Sequence, residues 1–387
     1  MRPIIAHLIA SNFYGGPERQ IVQHCVRLRR MGWPAVVGSF RENRPRVDVL
    51  HEAELQDLPT FAIDTRTGFS PLAIPRLVSA LRRHGVDLLV THGYKSAVVG
   101  HHAARGLGLP RVSFLRGFTA ENFRVRAYER LERAYVRRAD LVVCVCEAMR
   151  RRMEAAGIPA ARLRVVHNAV HVDVEQVQPL DVRAAFGLPA DSRVLVAVGR
   201  LSPEKGQPEL LQALPAILAR AAAARLLLVG HGFLEPALRE QCRDLGLERA
   251  VTFTGFRTDA LAIMAGADLL VLPSRSEGLP NVVLEAFALG LPVVATGVGG
   301  VPEIVEDQRS GWIVPPRRPD LLAAAVLEAL AQPALARARA EQARADLQQR
   351  FAPDVQTRTL VAVYQDALAT RRPRAAAVPG GVPGHAA

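Results

Sequence analysis

The run LLVLPSRSEGLPNVVLEAFALGLPVVAT carries two carboxylates, Glu277 and Glu285, on either side of the turn that opens a helix near Pro280. Glu277 belongs to a Gly-containing loop, and Glu285 lies about a turn and a half into the helix, so different contacts are expected for each. The backbone N–H groups of Gly278, Leu279, Asn281 and Val282 stand at that helix start and could receive phosphate oxygens; the Asn281 side chain adds an amide donor, and Pro280 has no N–H to give. A carboxylate beside phosphate is unfavourable unless it accepts hydrogen bonds from hydroxyls, which a sugar or a ribose supplies. Helix capping explains Glu277 or Asn281, but not a second carboxylate in an otherwise apolar helix.

Two other segments offer complementary chemistry. In VLVAVGRLSPEKGQPELL a strand stops at Gly199, and Arg200 and Lys205 project from the loop that follows. A fixed guanidinium and a mobile ammonium suit a diphosphate, the group that a departing nucleotide presents, and would stabilise the charge developing on it. A solvated basic loop is the alternative. In SNFYGGPERQ, Gly15 and Gly16 let backbone approach a ligand, Pro17 fits a first helical position, and the helix N-terminus faces an anion. A tight strand-to-helix turn would use the same residues.

Elements that position such loops are visible in the apolar pattern. Strand-like runs at 4–9, 35–39, 88–91, 111–115 and 141–145, then 194–198, 226–229, 251–254, 269–272 and 293–295, alternate with helical segments such as Glu18–Arg30, Gln207–Arg220 and Asp320–Leu330. Alternation of this kind predicts parallel, doubly wound α/β sheets. It lapses around 172–189, where polar residues and prolines mark a linker. Two Rossmann-like domains follow, 1–175 and 176–370, with a disordered tail at 371–387. Ligands of open α/β sheets sit beyond the carboxyl ends of the strands, so the active site is expected in the cleft between the domains.

Composition narrows the class. A chain of 387 residues with 49% hydrophobic and 22% charged residues is globular, not fibrous or disordered. Cys25, Cys144, Cys146 and Cys242 are too few and too scattered for a disulfide framework or the usual zinc spacing. Neither a membrane-spanning run nor a convincing signal peptide is present; His7 breaks the apolar run near the start. A cytoplasmic, reducing location is expected. Residues 1–180 hold 27 Lys or Arg against 16 Asp or Glu, and the remainder 22 against 21, so nearly all of the +12 net charge lies in the first half. That half should face something anionic: nucleic acid, acidic lipid or a phosphorylated substrate. Between Arg116 and Arg138 seven arginines interleave with Phe118, Phe123, Tyr128 and Tyr135. Such a segment could lie on an anionic membrane or grip an anionic acceptor; equally, a helix could pack its tyrosines inward and solvate its arginines.

Taken together, GGPER, GRLSPEKG, LVGHG at 228–232, FTGF at 253–256, PSRSEGLPNVVLEAFALGLPVVAT and GGVPEIV resemble the retaining glycosyltransferases of family 4, with the GT-B fold. The resemblance runs over nearly the whole chain outside the tail. It implies that Arg200 and Lys205 bind the donor diphosphate, that Glu277 contacts the transferred sugar and that Glu285 binds the ribose. It further implies that Gly15 and Gly16 approach donor phosphates and acceptor, and that His92, in VTHGYKS, stands beside the reacting anomeric carbon. The donor would be a UDP-, GDP- or ADP-sugar, with no bound metal or other cofactor. Base selection would depend on the loop near Phe256 and Arg257, and acceptor choice on loops around 68–71 and 118–123. The acceptor would be anionic or lipid-linked, as in polysaccharide, lipopolysaccharide or glycolipid synthesis, with peripheral membrane contact through Arg116–Arg138. Departures from the family pattern are Ala169 and His171 in HNAVHVD, and His231 where an acidic residue is common. A UDP-sugar 2-epimerase shares the architecture, but the paired carboxylates with Arg200 and Lys205 favour transfer. A nucleic-acid binder is suggested by charge alone and has no supporting motif.

Overall fold

A computed structural model describes residues 2–11, 14–42, 46–65, 70–116, 123–170 (side chains from 128 in the helix at 123–136) and 172–370. The tail, His171, residues 117–122 of the basic segment and residues 66–69 of the loop near 68 lie outside the described residues.

The chain forms two all-parallel sheets. The first contains β1 (Ile5–Ile9), β2 (Ala35–Glu42), β3 (Thr60–Thr65), β4 (Leu88–His92), β5 (Arg111–Leu115), β6 (Leu141–Cys144) and β7 (Leu163–Val165) in the order β3-β2-β1-β4-β5-β6-β7. The second contains β8 (Arg193–Val198), β9 (Ala224–Val229), β10 (Val251–Gly255), β11 (Leu269–Leu272), β12 (Val293–Thr296) and β13 (Trp312–Val314) in the order β10-β9-β8-β11-β12-β13. Chain direction across the sheet reverses between β1 and β4 in the first and between β8 and β11 in the second. Crevices open at such switch points, outside the carboxyl ends of the strands. All four segments singled out above fall there: Gly15–Gly16 after β1, His92 at the end of β4, Arg200–Lys205 after β8 and Glu277 after β11.

Ten strands coincide with the apolar runs. The three that do not, β3, β7 and β13, are all edge strands, and each carries half-buried or exposed positions. An edge strand covered incompletely by helices needs no continuous apolar run, so it leaves a weaker mark.

One apolar cluster fills the inner faces of both halves. It runs from Ile5, Val90 and Val143 through Val145, Cys146, Leu279 and Val301 to Leu270 and Val294's neighbours Val293 and Ala295. The four cysteines are buried and unpaired. The helix Pro353–Ala369 lies against the first sheet, with Tyr364 fully buried, Arg164 3.1 Å from Asp366 and the Gln356 amide donating to the His167 carbonyl at 2.8 Å. Among the described residues no single helix is long and apolar enough to cross a membrane.

Candidate active site

Gly206 sets the second-domain half of the site. Its φ is +66°, and a Cβ there would stand 2.0 Å from the Pro273 carbonyl oxygen, so only glycine lets the turn Pro203–Lys205 lie on the loop after β11. That approach brings the Lys205 ammonium 2.7 Å from Glu277 Oε1, which also accepts from the Ser274 hydroxyl at 2.7 Å. Only 7% of the Glu277 side chain is exposed, against 25% for Lys205. The pair thus presents a cation to the cleft while keeping a carboxylate beneath it. Arg200 is exposed at the mouth of the same loop, and its carbonyl is fixed by the Gln207 amide at 2.8 Å.

The helix Asn281–Leu289 begins directly after Pro280, which is extended. Asn281 does not simply offer its amide to a ligand: its Oδ1 accepts from Gln20 at 2.7 Å and from Asn168 at 3.0 Å, and its Nδ2 faces Gly16 so closely that a Cβ there would sit 3.0 Å away. Asn168 also donates to the Leu279 carbonyl at 2.8 Å. Leu279 and Pro280 are buried, so of the turn it is Gly278 and the helix start that face the interface. Gly278 packs against the first domain, where a Cβ would meet the Arg116 carbonyl oxygen at 2.0 Å. Glu285 lies one turn further along the helix and shares a small cavity with Gly16, Arg19, Gln20 and Asn281. Burial pushes its carboxyl above the usual range, and the Arg19 guanidinium opposes that shift. The two carboxylates therefore do occupy different surroundings, one beside Lys205 and one facing Arg19.

On the first-domain side His92 is one of three histidines buried among the described residues. Its Nε2 lies 3.1 Å from His7 Nδ1, the rings stack at 5.4 Å, and His24 meets His7 edge-on at 5.3 Å. His24 Nε2 is 2.9 Å from the Tyr364 hydroxyl on the crossing helix. Burial, and then Arg116, lower His7 to about 3; burial first and neighbouring cations or rings second hold His24 and His92 well below the ordinary histidine value. At neutral pH His92 is an uncharged hydrogen-bonding group, not a standing cation. Sequence reasoning selected His92 alone. His7 had been visible only as an interruption of an apolar strand; strand register places Ile9 beside His92, so His7, two residues earlier, shares its face.

Arg116 corrects the reading of the basic segment. It is not a surface cation: it stacks on Phe114 at 4.6 Å and donates to the Gln20 side-chain oxygen, and burial lowers its pKa to about 10. In the described remainder Arg130, Arg137 and Arg138 are exposed, while Tyr135 contacts His102 at 3.1 Å.

In the loop after β10, Phe256 is 68% exposed and meets His231 at a near-perpendicular angle, ring centres 5.8 Å apart. Arg257 is held by both carboxylate oxygens of Asp259, at 2.7 and 2.6 Å. No group of three or more His, Cys, Asp or Glu side chains among the described residues is arranged to hold a metal.

A further contact across the interface was not foreseen. The Glu303 carboxylate accepts from the backbone N–H groups of Glu147 (2.8 Å) and Ala148 (3.3 Å), and His167 Nε2 lies 2.8 Å from it. Burial works against its charge, but these partners prevail and hold the carboxyl below its usual range. The string GGVPEIV contains it without revealing its partners.

Comparison with known proteins agrees with this architecture. Residues 14–174 match the family model for Glycosyltransferase Family 4, and residues 192–332 the model for Glycosyl transferases group 1. A GDP-mannose-dependent alpha-(1-6)-phosphatidylinositol monomannoside mannosyltransferase of Mycobacterium tuberculosis is 38% identical over 203 residues, 49% of this chain and 52% of the relative. The D-inositol 3-phosphate glycosyltransferase of Mycobacteroides abscessus is 41% identical over 180 residues, 44% of this chain and 39% of the relative. The matched stretch thus spans about half the length of such curated relatives or less. Among solved structures, Anabaena HepE in complex with UDP-glucose superposes with a TM-score of 0.81 at 27% identity, covering 94% of this chain and 99% of that one. With both halves matched and the two sheets facing across a shared cleft, the chain belongs to the family 4 glycosyltransferases and has their GT-B fold.

Proposed function

We propose that the protein transfers a sugar from a nucleotide-sugar donor to a hydroxyl of a lipid-linked or cell-surface glycan, with retention of anomeric configuration and without a bound metal. The observation that carries this reading is the 2.7 Å Lys205–Glu277 pair at one switch point, with Glu285 deeper in the cleft facing Arg19. Lys205 and Arg200 would hold the donor diphosphate, assisted by Gly278 and the start of the helix Asn281–Leu289. Glu277 would accept from a hydroxyl of the transferred sugar and Glu285 from the ribose. Phe256 offers an open ring face for the base, beside His231. His92, neutral, would orient the sugar next to the anomeric carbon. The bond from that carbon to the phosphate oxygen breaks as the bond to the acceptor oxygen forms on the same face, and the acceptor's proton passes to the departing phosphate. A cytoplasmic site, with Arg130, Arg137 and Arg138 near an anionic membrane surface, suits such an acceptor.

The base is left to experiment, since one relative is named for GDP-mannose and a structural neighbour holds UDP-glucose. Thermal unfolding with UDP, GDP, ADP and their sugar conjugates, with and without EDTA, reads the donor directly. One nucleotide series at 100 times its dissociation constant should stabilise by about 2.7 kcal/mol, survive EDTA, and lose its effect in Lys205→Ala. Stabilisation by none of them would remove the donor assignment.

A further inference from the structure

The outer face of the helix Gly16–Arg30 floors a groove of about 610 Å³ that the reaction above does not use. Arg19, Gln23, Arg27 and Arg30 line it at intervals of three and four residues, so they form one stripe, about 16 Å long at 1.5 Å per residue. Glu52 stands on one wall, and Asp354, at the start of the crossing helix, on the other. The stripe begins where the donor ribose is placed: Arg19, Gln23 and Arg27 also line the small cavity that holds Glu285, Gly16 and Asn281. From there it leads outward.

Its cations are poorly matched. Arg27 has 16% of its side chain exposed, yet its carboxylate partner, Asp354, is 4.0 Å away and 77% exposed. Arg19 faces Glu285, and among the described residues no ion pair joins Arg30 to a carboxylate. A half-buried guanidinium with a distant, solvated counter-ion is a site that a better anion would occupy, and the planar fork of arginine fits phosphate or carboxylate oxygens two at a time. A neutral glycan would leave those donors to water.

We propose that this groove seats the acceptor, and that Arg27 and Arg30 hold an anionic group on it, a phosphate or a carboxylate remote from the hydroxyl that reacts. The proposal rests on the transferase reading. It assigns the acceptor's charge to the helix Gly16–Arg30 rather than to the basic segment after β5.

Calorimetric titration tests it with defined probes in the presence of saturating UDP or GDP, whichever stabilises the protein: glucose 6-phosphate, glucuronate, methyl glucoside, and vesicles of phosphatidylglycerol with phosphatidylcholine. The two anionic sugars should bind at least tenfold more tightly than methyl glucoside. Arg30→Gln, an exposed change, should weaken them about tenfold with nucleotide affinity unchanged, and Arg27→Gln should weaken them at least as much. Asp354→Asn, which removes the competing carboxylate, should tighten them severalfold, an effect no loss of folding could imitate. Equal affinity in wild type and Arg30→Gln overturns the proposal, as does binding to vesicles alone, which would mean adsorption to a surface. The nucleotide titration separates the two ideas: nucleotide bound with no anion effect removes the groove only, whereas no nucleotide binding removes the transferase reading itself.

Discussion

Glu277 is nearly sealed from solvent, with the Lys205 ammonium and the Ser274 hydroxyl as its partners. Removing one member of a buried pair strands the other, typically at about 3 kcal/mol or more, whereas neutralising both is far milder. Lys205→Ala should therefore lower Tm sharply, and Lys205→Ala with Glu277→Gln should recover most of the loss without recovering nucleotide binding. An unrescued double variant would mean that the pair does not carry the strain. Histidines set the acid limit. His7, His24 and His92 stay neutral when folded but take up a proton when unfolded below about pH 6.5, so the unfolded state binds more protons and stability falls as pH drops. Each contributes a loss of about 1.4 kcal/mol per pH unit in that window. The fall in Tm between pH 7 and pH 5 should be smaller in His7→Gln than in wild type; an identical fall would show that the cluster does not govern acid stability. Loop residues such as Glu277 and Lys205 were legible in the sequence because glycines and strand ends frame them. His7 and His24 were not, because a histidine in an apolar strand or helix gains meaning only from its neighbours across the sheet.

At the scale of elements, the buried strands and long helices were readable because parallel strands covered on both faces must be apolar throughout. Edge strands β3, β7 and β13 escaped for the same reason, reversed. The turn before the helix Asn281–Leu289 reads in the sequence as a phosphate cradle, and its contact with the first domain is invisible there. Gly278 makes that contact: any side chain there meets the Arg116 carbonyl oxygen. Gly278→Ala should cost about 1–3 kcal/mol through overpacking and lower turnover at least tenfold by holding the halves apart. Wild-type turnover with unchanged Tm would place the domain contact elsewhere.

Across the whole molecule, the two halves are tied by Glu303 to the start of the helix Glu147–Ala155 and to His167, by Asn281 to Gln20 and Asn168, and by the crossing helix through Tyr364. Charge-assisted hydrogen bonds such as those of Glu303 contribute about 1.5–3 kcal/mol. Glu303→Gln should lower Tm by a corresponding amount at pH 7. The deficit should shrink in acid as the wild-type carboxyl protonates, because its folded pKa lies below the unfolded one; a deficit independent of pH would argue against an ionised clamp. The sequence by itself determined the two α/β halves, the loops at their carboxyl edges and the residue types able to bind a diphosphate and hydroxyls. Periodicity and glycine placement are local, and a chain records local preferences directly. Only the tertiary structure decided that Lys205 sits on Glu277, that Glu285 faces Arg19 instead, that Arg116 turns inward and that three histidines form one buried cluster. Those relations join residues up to 340 positions apart, and packing, not spacing along the chain, determines which of them touch.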